Sequence, residues 1–376
     1  MSGVRCMLMR GGTSKGAYFL GADLPADPAE RDGLLLRLMG TPDPRQIDGL
    51  GGAHPLTSKV AVVWPGGGPD RDVDYLFLQV GVGEPTVSDR QTCGNLLAGV
   101  GQFAVERGLV AAGPERTSVR IRLVNTGATA VSSFPTPGGE VAYAGPAAIS
   151  GVPGTAAPVE LAFAGTEGSV CGSLLPTGRV RDTVEGIEVT CVDNGMPVVV
   201  AAAADLGLTG YEPVAELAAH ADLARRVQAL RTAAGRLMGL GEVAGTPVPK
   251  TTLVAPPREG GALCTRTFIP LRPHHSIGVL GAVSVATAAL LDGAVGHDVL
   301  VRPPAGAPLE IEHPSGRLAV AVEFGDPEGP ARPADPRTGG PGDPGGRGGP
   351  AVPRVRSSTV IRTARKLFDG TAFPRS

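Results

Sequence analysis

The chain has 376 residues, 19% of them charged, with a formal net charge of −2. That length accommodates two domains of ordinary size, and the near balance of signs, without a long single-sign run, excludes attraction of nucleic acid or a membrane surface by net field. The opening MSGVRCMLMRGG is too short and interrupted to read as a signal peptide, and the longest apolar stretch, Ile277 to Leu291, is shorter than a membrane span, so a soluble, cytoplasmic protein is expected.

The 56 Gly and 36 Pro punctuate many short Val-rich runs, the pattern of a strand-rich chain with few helices. In the first half, strands are expected at Val4 to Met9 and Ala17 to Leu20, a helix at Ala29 to Met39, and strands at Lys59 to Trp64 and Asp74 to Val80. A helix at Leu96 to Arg107 and a strand at Val119 to Asn125 follow. In the second half, strands are expected at Pro158 to Ala164, Ile187 to Asp193 and Pro197 to Ala201, then a helix from Glu212 to Gly239 in one or two pieces. A strand at Thr251 to Ala255, a helix at Ser276 to Leu291 and a strand at Leu318 to Phe324 complete it.

The helices at Leu96 to Arg107 and Ser276 to Leu291 leave almost no polar face, and a helix apolar all round is a buried one. One such helix lies in each half, preceded by a nucleophile-like group (Cys93; His275 and Ser276) and followed by strands. This suggests an α+β fold of two pseudo-symmetric domains, each a mostly antiparallel sheet wrapped around a central helix whose N-terminus points at a shared cleft; two unrelated core helices are the alternative. Residues 1–150 with 354–376 would form one domain and 151–324 the other. From Gly325 to Pro353 large apolar residues are almost absent, so this Gly/Pro-rich insertion is expected to be disordered. The segment Ser357 to Leu367 regains β-branched residues and should return to the sheet.

Five scattered cysteines, without C-x-x-C spacing, read as reduced thiols. Four sit in apolar, strand-like contexts and read as buried. Cys93 differs: in Gln91-Thr92-Cys93-Gly94-Asn95 it opens the first buried helix. The first N–H groups of a helix lack internal partners and carry the positive end of its dipole, favouring a thiolate or a bound carboxylate. The six histidines show no metal-ligand spacing, so no metal is expected.

Met9 to Gly16 places glycines beside hydroxyls and cations after a strand, which suits an oxyanion site or a plain turn. The order of Ser14 and Lys15 excludes a phosphate-binding P-loop. Lys59 stands at the edge of an apolar strand, as either a snorkelling lysine or a partly desolvated amine able to transfer protons. A Ser/Lys hydrolase is disfavoured because Ser58 and Lys59, like Ser14 and Lys15, are adjacent and would point to opposite faces of a strand. In the second half, Cys191 to Pro197 reads as a turn between strands, and Arg266, Arg272, His274, His275 and Ser276 precede the second buried helix. Cations at a helix start can hold carboxylates; solvated surface arginines fit the same pattern.

Taken with these residues, the chain resembles the PrpF-type isomerases of the diaminopimelate-epimerase-like fold. The likeness runs almost end to end, through MRGGTSKGAYFL, RQIDGLGG, LTSKVAVV, DVDYLFLQV, CGNLLAGVGQFAVERGLV, CVDNGMPVV, IGVLGAVSVATA, HPSG and RTARKLFDG. The resemblance implies two similar domains with the active site between them. It also implies cofactor-independent movement of a proton and a double bond in an unsaturated di- or tricarboxylic acid. Keto–enol tautomerisation of 4-oxalomesaconate in aromatic-compound catabolism is the leading expectation. Isomerisation of 2-methylaconitate or methylitaconate is the alternative within the class, and a non-catalytic carboxylate-binding accessory protein the alternative outside it.

Carried onto this chain, the resemblance assigns catalysis to Lys59 and Cys93. It places the substrate carboxylates against Ser14, Ser58, Gly94, Asn95 and the region of His275 and Ser276; Arg266 joins this set from the cations preceding the second helix. The family's motif has Asn where this chain has Thr92, and the insertion at 325–353 is longer than expected. Amino-acid racemisation is disfavoured, because it needs a second thiol facing the first and the second helix begins instead with His275 and Ser276. A small carboxylate is the expected partner, with homodimer formation left open.

Overall fold

The computed structural model describes residues 3–90, 92–304, 306–325 and 354–376. The insertion expected over 325–353 therefore lies, apart from Gly325, outside the described residues. The first half runs β1 (Val4–Gly11), β2 (Ser14–Leu20), α1 (Pro28–Met39), β3 (Lys59–Gly68), β4 (Arg71–Val80), β5 (Val87–Ser88), α2 (Gly94–Glu106), β6 (Arg116–Leu123), β7 (Thr129–Pro135) and β8 (Pro158–Ala164). The second runs β9 (Asp182–Val184), β10 (Ile187–Asp193), β11 (Pro197–Ala202), α3 (Val214–Ala219), α4 (Ala221–Leu237), β12 (Lys250–Ala255), β13 (Leu263–Ile269), β14 (Arg272–Pro273), α5 (Val279–Leu290), β15 (Leu309–His313), β16 (Gly316–Phe324) and β17 (Val355–Ala372).

Local chemistry accounts for the element ends. Asp27 caps α1 by accepting from the Glu30 N–H at 2.9 Å, Pro28 opens the helix, and Gly40 closes it in the left-handed region. The long helix expected from Glu212 breaks at His220, whose Nδ1 accepts from the Leu223 N–H at 3.1 Å and so starts α4 afresh. The helix expected from Ser276 begins only at Val279, with Gly278 as its extended N-cap. His274 to Ile277 stay outside because the Ser276 N–H is drawn to His274 Nδ1 at 2.9 Å, a local bond that competes with the first helical turn.

The two halves repeat one pairing scheme. β1 and β2 pair antiparallel, β3 joins β2 in parallel, β4 joins β3 antiparallel, and β6 joins β4 in parallel. Likewise β10 and β11 pair antiparallel, β12 joins β11 in parallel, β13 joins β12 antiparallel, and β15 joins β13 in parallel. The hairpins that follow, β6 to β8 and β15 to β17, are antiparallel in both. β17 is shared: its early residues pair with β16, its middle with β8, and Ala364 to Ala372 with β1. The first sheet thereby closes around α2, and the second wraps α5.

The cores follow from this closure. Leu96, Leu97, Val100 and Phe103 of α2 and Val283, Val285 and Ala286 of α5 are all buried, in one continuous apolar cluster. A second cluster packs α4 on the outer face of the second sheet, and a third packs α1 on the outer face of the first. Among the described residues no helix is long and apolar enough to cross a membrane.

Candidate active site

The pairing scheme makes Lys59 and Lys250 equivalent, since each is the first residue of the strand that joins its sheet in parallel. It makes Cys93 and Gly278 equivalent too, as the N-caps of the two buried helices. All four positions line one cavity of about 510 Å³ between the halves. Both helix starts lack a side-chain cap, so N–H groups of α2 and α5 are left for a ligand. The starts nearly touch: a Cβ on Gly94 would lie 2.7 Å from Val279 Cβ, so only glycine permits this approach.

Lys59 is 7% exposed. Its Nζ donates to Gln79 Oε1 at 2.7 Å and sits 4.9 Å above the centre of the Phe77 ring. Gln79 is fixed in turn, its Nε2 donating to the carbonyls of Pro55, Ser58 and Val80 at 3.0 to 3.2 Å. The amine is thus held, not free to snorkel. Cys93 is half-buried on the opposite element, with its carbonyl accepting from Tyr75 Oη at 3.3 Å.

Ser14, Gly94, Asn95 and His275 also line the cavity. Ser14 Oγ, Thr92 Oγ1 and Asn95 Oδ1 are buried without a hydrogen-bond partner among the described residues, and so are free to meet a ligand. Asn95 Nδ2 donates to Thr13 Oγ1 at 3.1 Å. Gly12, at φ 51°, lies so close that a Cβ there would come within 2.2 Å of Asn95 Oδ1. Glycine at 12 therefore lets the Asn95 side chain pack against the turn after β1.

Three of the expected residues, Ser58, Arg266 and Ser276, do not line this cavity. Ser58 is fully buried behind Lys59, its hydroxyl donating to Gln46 Oε1 at 2.6 Å; adjacent strand residues face opposite ways, and here Lys59 takes the cavity side. Arg266 does not reach the cavity wall, because its guanidinium donates to the carbonyls of Glu212 at 2.8 Å and Thr265 at 2.9 Å. Ser276 is spent on His313, 3.3 Å from its Nε2. His274, passed over in favour of its neighbour, is on the wall, and burial with Lys250, His275 and Lys59 nearby lowers its pKa, keeping it neutral.

One cation of the wall was missed, and a second buried cation lies behind it. Lys250 is 7% exposed and on the cavity wall, its pKa lowered to about 8 by burial and further by Lys59, with Cys93 acting the other way. The sequence signal was available: TSKVAVV and VPKTTLV each open a strand on lysine, but only the pairing scheme makes them equivalent. Arg362, on the shared strand β17, is buried with its Nε unpartnered among the described residues, and burial lowers its pKa to about 10 against the opposing pull of Cys93. Nothing in RTARK announces an inward arginine.

Among the described residues the wall carries Lys59, Lys250, Arg272, His54, His274 and His275 but no Asp or Glu. A cationic, partly dry pocket with two bare helix starts suits a molecule bearing several carboxylates.

A model of the PrpF protein family matches residues 1–332. The chain is 54% identical to the (4E)-oxalomesaconate Delta-isomerase of Novosphingobium sp. (strain KA1) over 99% of its own length and 98% of that protein's. It is 55% identical to the 4-oxalomesaconate tautomerase of Pseudomonas putida (strain KT2440), over 85% of its length and 89% of the relative's. The crystal structure of a methylitaconate-delta-isomerase superposes with a TM-score of 0.82 at 31% identity, covering 99% of this chain and 95% of that one. With its paired sheet-wrapped helices, its near end-to-end likeness to these relatives and the family match over most of its length, the chain belongs to the PrpF family.

Proposed function

We propose that this chain is a cofactor-independent isomerase that shifts a proton and a double bond in an unsaturated tricarboxylic acid, 4-oxalomesaconate, with Lys59 and Cys93 as its catalytic pair. The observation that carries this reading is the cavity itself: an anchored amine and a helix-start thiol on one wall that, among the described residues, has basic side chains and no carboxylate. The relatives at 54 and 55% identity are named for oxalomesaconate and support this substrate over the methylitaconate of the structure at 31%.

The chemistry needs only proton transfer. A C–H between a carbonyl and a double bond is acidic because the electron pair left behind spreads into a dienolate. Lys59 removes this proton and becomes an ammonium; Cys93 delivers one at the far carbon of the delocalised system and becomes a thiolate. Transfer of a proton from the ammonium to the thiolate, directly or through solvent, restores both. The helix starts and the cationic wall stabilise the charge that builds on oxygen in the dienolate, the form of catalysis that supplies the largest single contribution in many enzymes.

Incubation with 4-oxalomesaconate, 2-methylaconitate or methylitaconate, followed by ultraviolet absorbance and deuterium uptake from D2O, tests the reading. Exchange and turnover of 4-oxalomesaconate are expected. Binding of all three acids without exchange would make the chain a carboxylate-binding protein and overturn the proposal.

A further inference from the structure

We propose that Lys250 is a further substrate-binding residue, its ammonium holding one carboxylate of the substrate against the first turn of α5. The inference rests on the isomerase reading and adds a residue to it.

Three observations meet at this side chain. Lys250 is as buried as Lys59, yet where Lys59 has Gln79, Lys250 has no hydrogen-bond partner among the described residues. A lysine nine-tenths withdrawn from water and facing a cavity without an acceptor is unfavourable in the empty site. A carboxylate entering beside it relieves that penalty, so the cost of burial becomes selectivity for an anion. Second, its Nζ lies beside the start of α5: a Cβ built on Gly278 would be 3.7 Å from it. Gly278 occupies the position equivalent to Cys93, so the space a second thiol would fill is left to this ammonium.

Third, the first turn of α5 is bare. Gly278 carries no cap, and a Cβ at Gly281 would meet nothing within 4 Å, so the backbone N–H groups of this turn and the Lys250 ammonium can address the same two carboxylate oxygens. The first half binds and deprotonates through Lys59, Cys93, Ser14 and Asn95. By the pseudo-symmetry, the second half offers an equivalent lysine without the equivalent thiol: a binding half opposite a reacting half. The charged and titratable groups facing Lys250 are Lys59, Cys93 and His274, with Arg272 and His275 on the same wall; none is an acid that could take the place of substrate as its counter-ion.

The test compares Lys250→Met and Lys250→Arg with wild type, using 4-oxalomesaconate from pH 6 to 10. Loss of a charge-assisted contact predicts that Lys250→Met raises KM on the order of 30-fold or more, with kcat falling much less. In the wild type, kcat/KM should decline as the pH rises past about 8, where the free amine loses its proton. Lys250→Arg, whose guanidinium keeps its charge, should retain a low KM. A Lys250→Met enzyme with wild-type KM, or a Lys250→Arg enzyme whose KM rises as far as that of Lys250→Met, overturns the assignment. If the wild type itself fails to turn over the acid, the isomerase reading falls instead, so the two failures are distinct.

Discussion

Replacing Lys59 by Met removes the amine while keeping an unbranched chain of similar length beside Phe77. A general base contributes on the order of 10²–10⁴ in rate, equivalent to about 3–5 kcal/mol of barrier, and kcat should fall by at least the lower figure. The structural cost is smaller. Lys59 gives up one hydrogen bond, to Gln79 Oε1, and the orphaned acceptor costs about 1–3 kcal/mol at most. Gln79 keeps its three donor contacts to Pro55, Ser58 and Val80, so the wall holds its shape. Against a typical stability of about 5–15 kcal/mol the variant should remain folded. Deuterium incorporation isolates the proton-abstraction step, and a thermal melt run beside it separates lost chemistry from lost fold. A folded Lys59→Met enzyme that exchanges deuterium within about tenfold of wild type, short of what a general base supplies, would refute Lys59 as the base.

Three other expectations follow from particular contacts. Gly94→Ala puts a Cβ 2.7 Å from Val279 Cβ, so the helix starts must part; a loss of about 1–3 kcal/mol in stability together with lower activity is expected, and a silent Gly94→Ala would contradict the close approach. Alkylation at neutral pH should mark Cys93 first and be blocked by a tricarboxylate, because Cys6, Cys191 and Cys264 are buried and burial beside Asp193 pushes the half-buried Cys171 up to about 12; equally fast labelling of Cys171 would count against it. Asp369 accepts two hydrogen bonds from Arg107, at 2.7 and 2.8 Å, which hold its pKa below the ordinary carboxylate value. Its folded value is the depressed one, so the stabilisation is present above about pH 4 and is lost as the pH falls through the folded value. Asp369→Asn should cost about 1 kcal/mol near neutrality and converge with wild type in acid, as read by denaturant titration at each pH.

Much of the architecture is written in short-range pattern. The apolar runs around Val100 and Val283 announce buried helices because no polar face is available to meet water, and Cys93 before Gly94 announces a helix start. Lys59 is legible as the edge of a buried strand. The misplaced contacts fail for one shared reason: chain position says that a polar group is near the site, but its partners decide which way it points. Ser58 turns to Gln46, Arg266 to the carbonyl of Glu212, and Ser276 to His313, each held by a partner twelve or more positions away in sequence.

The sequence by itself determined which segments must be buried, where one thiol meets a helix dipole, and which family's motifs the chain carries, since these depend on spacing and residue type alone. Tertiary structure decided what faces the cavity. Lys250 matches Lys59 only after the two sheets have assembled by the same pairing scheme, and Arg362 is buried on β17, the strand both sheets share. Long-range strand pairing is set by the closure of both sheets around their helices, a condition that no local stretch of residues expresses.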